Sequence, residues 1–154
     1  MAEALAKISQ VQDWGMIQIR ADLARAGDAI AGAAGLAVPA QGCTTSDGSR
    51  LLGWMSPDEL LLVLPKAETA EALAALTEAL AGEHALALDV SDMRAAFRIE
   101  GPQALQVLTK LCPTDLAAMP QDGLRRTRAA QVACGIWREP GGYVLIGFRS
   151  VGDY

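Results

Sequence analysis

The chain has 154 residues, about half of them hydrophobic, with 13 Lys+Arg against 18 Asp+Glu for a formal net charge of −5. That length suits one domain of roughly 100–200 residues with a buried core, and the acidic balance argues against a general binder of nucleic acid or anionic membranes, which needs a cationic face. No apolar stretch approaches the roughly 20 residues of a membrane span, and Met1 to Gln10 lacks the charged-then-apolar order of a signal peptide, so a cytoplasmic location is expected.

The first predicted element is a strand, "WGMIQIRA" from Trp14 to Ala21, in which Gln18 and Arg20 alternate with Ile17 and Ile19. A helix follows from Asp22. Leu23, Ala26, Ile30 and Ala33 recur at helical spacing, Asp22 is placed to cap the first turn, and Gly35 to end the last. "QGCTTSDG", Gln41 to Gly48, reads as loop or irregular strand with an Asp-Gly turn. A hairpin then runs from Arg50 to Met55 and from Glu59 to Leu64, turning at Ser56-Pro57-Asp58 and stopped by Pro65. Leu73, Leu76 and Leu80 mark an alanine-rich helix from about Ala67 to Ala81, with Glu68 and Glu71 at its positive end.

The same order then returns. "HALALDV" and "RAAFRIEG" are predicted strands joined at Ser91-Asp92, and Gly101-Pro102 opens a helix carrying Ala104, Leu105, Leu108 and Leu111. "CPTDLAAMPQDG" and "REPGG" carry the residues of loops. "CGIWREPGGYVLIGF", Cys134 to Phe148, restates the first hairpin: Trp137, Tyr143 and Ile146 each stand 83 positions after Trp54, Leu60 and Val63. Phe97-Arg98-Ile99 matches Ile17-Gln18-Ile19 at an offset of 80, so three residues are inserted between the second helix and its hairpin. A shared offset over several positions marks an internal duplication.

We therefore expect an α+β fold spanning residues 1–154 as one domain of two repeats, about 1–83 and 84–154. The sheets are expected to be mostly antiparallel with covering helices, and the halves to be related by a pseudo-twofold axis. Trp54 and Trp137 read as core residues of the paired hairpins. Tyr154 falls where the second repeat's counterpart of the helix from Ala67 to Ala81 would begin, so either the natural protein ends without that helix or a tail follows Tyr154.

Several chemistries are poorly supplied. Cys43, Cys112 and Cys134 are far apart and odd in number, without the close pairs of a zinc or redox site, and read as small buried hydrophobes. His84 is the only histidine and falls in a turn. There is no G-x-G-x-x-G fingerprint, the nearest glycine pairs being Gly32/Gly35 and Gly141/Gly142, and no phosphate loop. No flavin, dinucleotide or zinc site of its own is expected.

"DVSDMRAAFRIEGPQALQVLTKLCPTDL" followed by "RTRAAQVACGIWREPGGYVLIGFRSVGDY" resembles the gamma subunit of heterotetrameric sarcosine oxidase and, more distantly, the folate-binding domain of the glycine cleavage T-protein. The likeness is clearest over Asp89 to Tyr154, and Phe148-Arg149-Ser150 narrows it to the gamma subunit. The resemblance implies two interlocked halves that exchange their first strands. It also implies a non-catalytic structural role beside alpha, beta and delta subunits in an enzyme that oxidatively demethylates sarcosine to glycine, with hydrogen peroxide and formaldehyde or methylene-tetrahydrofolate. FAD, FMN, NAD, zinc and tetrahydrofolate then belong to the partner subunits.

The interface candidates are Phe148, Arg149, Arg126 and Arg128. Arg149 has two readings, a planar fork for a carboxylate of a partner or substrate, or an ordinary salt bridge at its own sheet edge. Arg125, Arg126 and Arg128, read as preceding a strand, are either a solvated edge that discourages pairing or part of an interface. The alternative to a structural subunit is a stand-alone folate-binding aminomethyl carrier or transferase, for which Asp89, Asp92 and Asp115 are the available carboxylates. Of these, Asp92 also reads as a turn former and Asp115 as a local cap.

Overall fold

The structure, a computed structural model, describes residues 5–154. In chain order its elements are β1 (Lys7–Val11), β2 (Trp14–Arg20), α1 (Leu23–Ala34), β3 (Thr44–Ser46), β4 (Leu51–Ser56), β5 (Glu59–Pro65), α2 (Thr69–Ala79), β6 (Leu86–Asp89), β7 (Arg94–Glu100), α3 (Ala104–Thr109), β8 (Leu124–Ala129), β9 (Val132–Glu139) and β10 (Gly142–Phe148). Short 3-10 turns lie at Lys66–Glu68 and Arg149–Val151. This is the expected α+β class, with every strand pair antiparallel.

The chain forms two compact units, one from Asp13–Asp92 and the other from residues 5–12 with Met93–Tyr154. Each holds a five-stranded sheet, ordered β6-β2-β5-β4-β3 in the first and β1-β7-β10-β9-β8 in the second. The two orders are the same once the repeat is applied, with the first strand of each half lent to the other unit. That is the exchange the resemblance implied. The strand β1 itself had no place in the element reading.

In the first unit the amphipathic pattern decides the layers. Ile17 and Ile19 of β2, Leu60, Leu62 and Leu64 of β5, and Leu52 of β4 are buried in one core with Ile30 of α1 and Leu76 of α2. The helix α1 begins where Asp22 accepts a hydrogen bond from the Ala24 N–H (3.0 Å) and ends at Gly35, whose φ of 75° is left-handed and whose N–H donates to Ala31 O. Both ends are thus closed by the residues expected to close them. Asp22→Ala is expected to lower stability by about 1 kcal/mol, read from a urea titration. The helix expected over Ala67 to Ala81 starts later, because Lys66–Glu68 forms a 3-10 turn first.

The second unit packs Ile99, Leu108, Leu116, Met119, Ile136 and Tyr143 together. Its helix α3 has six residues, shorter than its apolar pattern, and Leu111 lies beyond it with 46% of its surface exposed. Pro113 explains the stop, since the residue before a proline is driven toward extended backbone. The three arginines 125, 126 and 128 do not precede a strand. They lie inside β8, the edge strand, where Arg126 and Arg128 are exposed and Arg125 is half-buried.

Trp137 is 1% exposed, whereas Trp54 is only half-buried and packs against the first core. Among the described residues no helix is long and apolar enough to cross a membrane.

Candidate interaction site

The main concavity of interest lies on the sheet of the second unit, a groove of about 250 Å³. Strand alternation makes it. Ile8 pairs with Ile99, which pairs with Tyr143, and Phe97 pairs with Leu145, which pairs with Ile136. Cross-strand partners share a face, so Ile8, Phe97 and Leu145 stand on the same face as the buried Ile99, Ile136 and Tyr143. The short helix α3 shelters only part of that face. Ile8, Ala95, Phe97, Leu111, Leu145 and Phe148 line the groove that remains. Ile8 is 63% exposed and Phe148 45%, so the lining is apolar and wet.

Phe148 and Arg149 sit together at one end. Phe148 closes β10, Arg149 opens the following 3-10 turn, and the Arg94 guanidinium stands over the Phe148 ring 5.5 Å from its centre. Arg149 Nη2 donates to the Arg94 carbonyl at 3.3 Å. The site thus offers an aromatic ring with two guanidinium groups, a composition common in the cores of protein interfaces. Arg126 and Arg128 are not part of this cluster. They fall on β8, two strands from β10, and only the partner of Arg128 across the ladder, Ala133, reaches the groove lining. Ile8, Phe97 and Leu111 were not singled out from the sequence. The surplus apolar Leu111 beyond the end of its helix was the available signal.

The carboxylates weighed for folate chemistry are engaged locally. Asp89 accepts from the Ser91 N–H (2.9 Å) and from its hydroxyl, and the Ser91 hydroxyl oxygen accepts from the Met16 N–H (2.9 Å). The Asp-x-Ser motif therefore ties the end of β6 to β2. Asp115 accepts from the Ala117 and Ala118 N–H groups, the local cap expected of it. Asp92 lies exposed in the turn after β6, 4.0 Å from Lys66.

A second, polar cleft in the first unit contains Arg20, Asp58, Arg25, Glu83 and His84. Its charges are paired, Arg20 to Asp58 at 2.6 Å and Arg25 to Glu83 at 3.3 Å. Hydrogen bonds from Arg20 and Ser56 hold the Asp58 carboxyl below the ordinary carboxylate range, so it stays ionised and is a poor proton donor.

Among the described residues no group of three His, Cys, Asp or Glu side chains is arranged to hold a metal ion. Cys112 and Cys134 are buried in the second core, and burial, with Cys112 nearby, pushes the Cys134 thiol up to about 11. A thiol with that value is about 0.1% thiolate at pH 8. Alkylation at pH 8 of the folded chain is therefore expected to label the half-buried Cys43 first, with Cys112 and Cys134 reacting only on unfolding, as peptide mapping will show.

The comparison that decides the family is a match to the model described as sarcosine oxidase, gamma subunit family, over residues 20–139. The chain belongs to the sarcosine oxidase gamma subunit family. The matched range stops short of Phe148-Arg149-Ser150, so membership rests on the body of both repeats and not on that motif. The sarcosine oxidase subunit gamma of Corynebacterium sp. (strain P-1) is 36% identical over 124 residues, covering 76% of this chain and 60% of the relative. That of an Arthrobacter species is 34% identical over 124 residues with the same shares. The chain thus spans about 60% of the length of the curated relatives it matches.

Among solved structures, the heterotetrameric sarcosine oxidase from Corynebacterium sp. U-96 in complex with pyrrole 2-carboxylate contains a chain that matches with a TM-score of 0.89 and 28% identity. The match covers 96% of this chain and 78% of that one. The glycine cleavage system aminomethyltransferase T from Bartonella henselae matches with a TM-score of 0.68 at 14% identity, over 92% of this chain and 41% of that one, and shows the shared fold.

Proposed function

We propose that this chain is the gamma subunit of a heterotetrameric sarcosine oxidase, and that it serves the enzyme by binding partner subunits, not by chemistry of its own. The observation that carries the reading is the backbone agreement with a chain of the Corynebacterium heterotetramer over nearly the whole of this chain. In this reading the enzyme oxidatively demethylates sarcosine to glycine, with hydrogen peroxide and formaldehyde or methylene-tetrahydrofolate as the other products. FAD, FMN, NAD, zinc and tetrahydrofolate are carried by the alpha, beta and delta subunits. Residues 1–154 then act as one domain of two repeats, a reading supported by the exchange of β1 and β6 between the sheets.

Phe148 and Arg149 are the first candidates for the interface, with Arg126 and Arg128 on β8 as a separate contact. The engagement of Asp89 and Asp115 with nearby backbone favours this reading over the stand-alone folate carrier or transferase, which needs a carboxylate turned to a pterin. Co-expression of the enzyme's subunits with and without this chain tests the proposal. Omission is expected to leave the others incompletely assembled with little sarcosine-dependent peroxide production. Full assembly and activity without it, or heat on titrating the isolated chain with tetrahydrofolate, contradicts the proposal.

A further inference from the structure

The duplication extends to single hydrogen bonds and stays in register past β10. The Lys66 N–H donates to Asp13 O and the Arg149 N–H to Met93 O, each at 2.9 Å, and the partners correspond through the offsets of 83 and 80. The 3-10 turn Lys66–Glu68 corresponds to Arg149–Val151, and each turn is closed by the next residue, Thr69 donating to Lys66 O and Gly152 to Arg149 O. At that residue both copies have entered helical backbone, with φ −61° and ψ −44° at Thr69 and φ −62° and ψ −37° at Gly152. The contact beneath it is also kept. A Cβ added to Gly15 would collide with the Thr69 hydroxyl, and a Cβ added to Gly152 would lie 3.4 Å from that of Ala95, the counterpart of Gly15. Small and larger residues have changed places across the same contact. The turn then continues, with the Tyr154 N–H donating to Val151 O at 3.2 Å.

In the first unit Thr69 is the first residue of α2, which lies over β2, β6 and α1 and buries Thr69, Ala72 and Leu76 along one face. The corresponding elements of the second unit, β7, β1 and the α3 region, supply Phe97, Ile8 and Leu111 to the groove. Gly152, Asp153 and Tyr154, the counterparts of the first turn of α2, line it as well. The groove is therefore the second unit's version of the seat that α2 fills in the first, and the chain enters it along the path of α2. Exposed apolar side chains in a channel between a sheet and a neighbouring helix are what an amphipathic helix covers.

We propose that the groove is the seat of a helix of this protein itself, formed by residues that follow Tyr154 in the full-length chain and packed as α2 is packed in the first unit. The offset of 83 fixes its pattern. The first core takes Ala72, Leu73 and Leu76 from α2 and Leu80 just after it, so positions 155, 156, 159 and 163 carry apolar residues and the positions between them polar ones. Such a helix covers Ile8, Phe97 and Leu111. Phe148 and Arg149 correspond to Pro65 and Lys66, which precede α2 and are half-buried and exposed, so the seat is compatible with the interface role proposed for that pair.

The seat and the subunit reading are tested apart. The full-length protein is purified from its native cells with a photo-crosslinking amino acid encoded at Ile8 or at Leu111, both half-exposed or more. Its intact mass is measured, and crosslinked peptides are identified by mass spectrometry after separation on a denaturing gel. The mass is expected to exceed the 16.1 kDa of residues 1–154 by at least the 11 residues of a helix the length of α2. Both positions are expected to crosslink within the same chain, at monomer size, to sites three or four residues apart in the segment after Tyr154. A mass equal to that of residues 1–154, or crosslinks to another protein, to a second copy or to nothing, overturns the seat and leaves the subunit reading standing wherever partners are co-purified. Crosslinks to the expected segment in a chain recovered without partners uphold the seat and contradict the subunit reading.

Discussion

Replacing Trp137 with alanine is expected to destabilise the folded chain by about 3–5 kcal/mol. Trp137 lies in β9 with 1% of its surface exposed, and its ladder partners Val144 on β10 and Leu124 on β8 are themselves buried. Removing the indole leaves a cavity between strands that are hydrogen-bonded on both sides and close poorly over it. Against a typical total of about 5–15 kcal/mol for a domain, this is a large share. Urea titration followed by far-UV circular dichroism reads it directly. Trp54→Ala, at the equivalent hairpin position but half-buried, is expected to cost roughly half as much. A Trp137→Ala chain as stable as wild type that no longer binds partners shows instead that the indole is an interface residue.

Gly142→Ala is expected to cost about 3 kcal/mol, at the upper end for an overpacked site. A Cβ at this position would lie 2.1 Å from the Ile99 carbonyl oxygen and 2.9 Å from the Glu100 Cα. Both are backbone atoms of β7, the strand with which Gly142 pairs, so no side chain is available to swing aside. Relief requires the β10 ladder to shift at the start of the strand that leads to Phe148. Gly32 in α1 is the control. Nothing lies within 4 Å of an added Cβ there, and Gly32→Ala is expected to stabilise the chain by up to about 1 kcal/mol through helix propensity. If both substitutions move the urea midpoint the same way, the close approach at Gly142 is not real.

The legible parts of this fold were those where local chemistry and tertiary demand agree. Asp22 and Gly35 bracket α1 because a carboxylate satisfies the first free N–H groups and a glycine accepts left-handed backbone, and both signals are local. The hairpins around Trp54 and Trp137 were legible because the offset of 83 compares the chain with itself. The strand β1 was not, because "KISQV" has one exposed isoleucine and depends on pairing with β7, about ninety positions away. The place of Arg126 and Arg128 inside β8 was hidden for a related reason. An edge strand with one solvated face carries charges that look like a loop, until its ladder with β9 is seen. The groove depends on what does not cover a sheet face, which no residue type announces. Phe148 and Arg149 were singled out from their resemblance, and the structure adds Arg94, Ile8, Phe97 and Leu111 around them.

The most direct test of the subunit role is to tag the full-length chain, recover it from its native cells grown on sarcosine, and measure subunit stoichiometry and flavin absorbance in the recovered material. The expected result is a yellow complex holding this chain in a one-to-one ratio with a large flavin-binding subunit and two others. A colourless chain recovered alone from cells that oxidise sarcosine contradicts it.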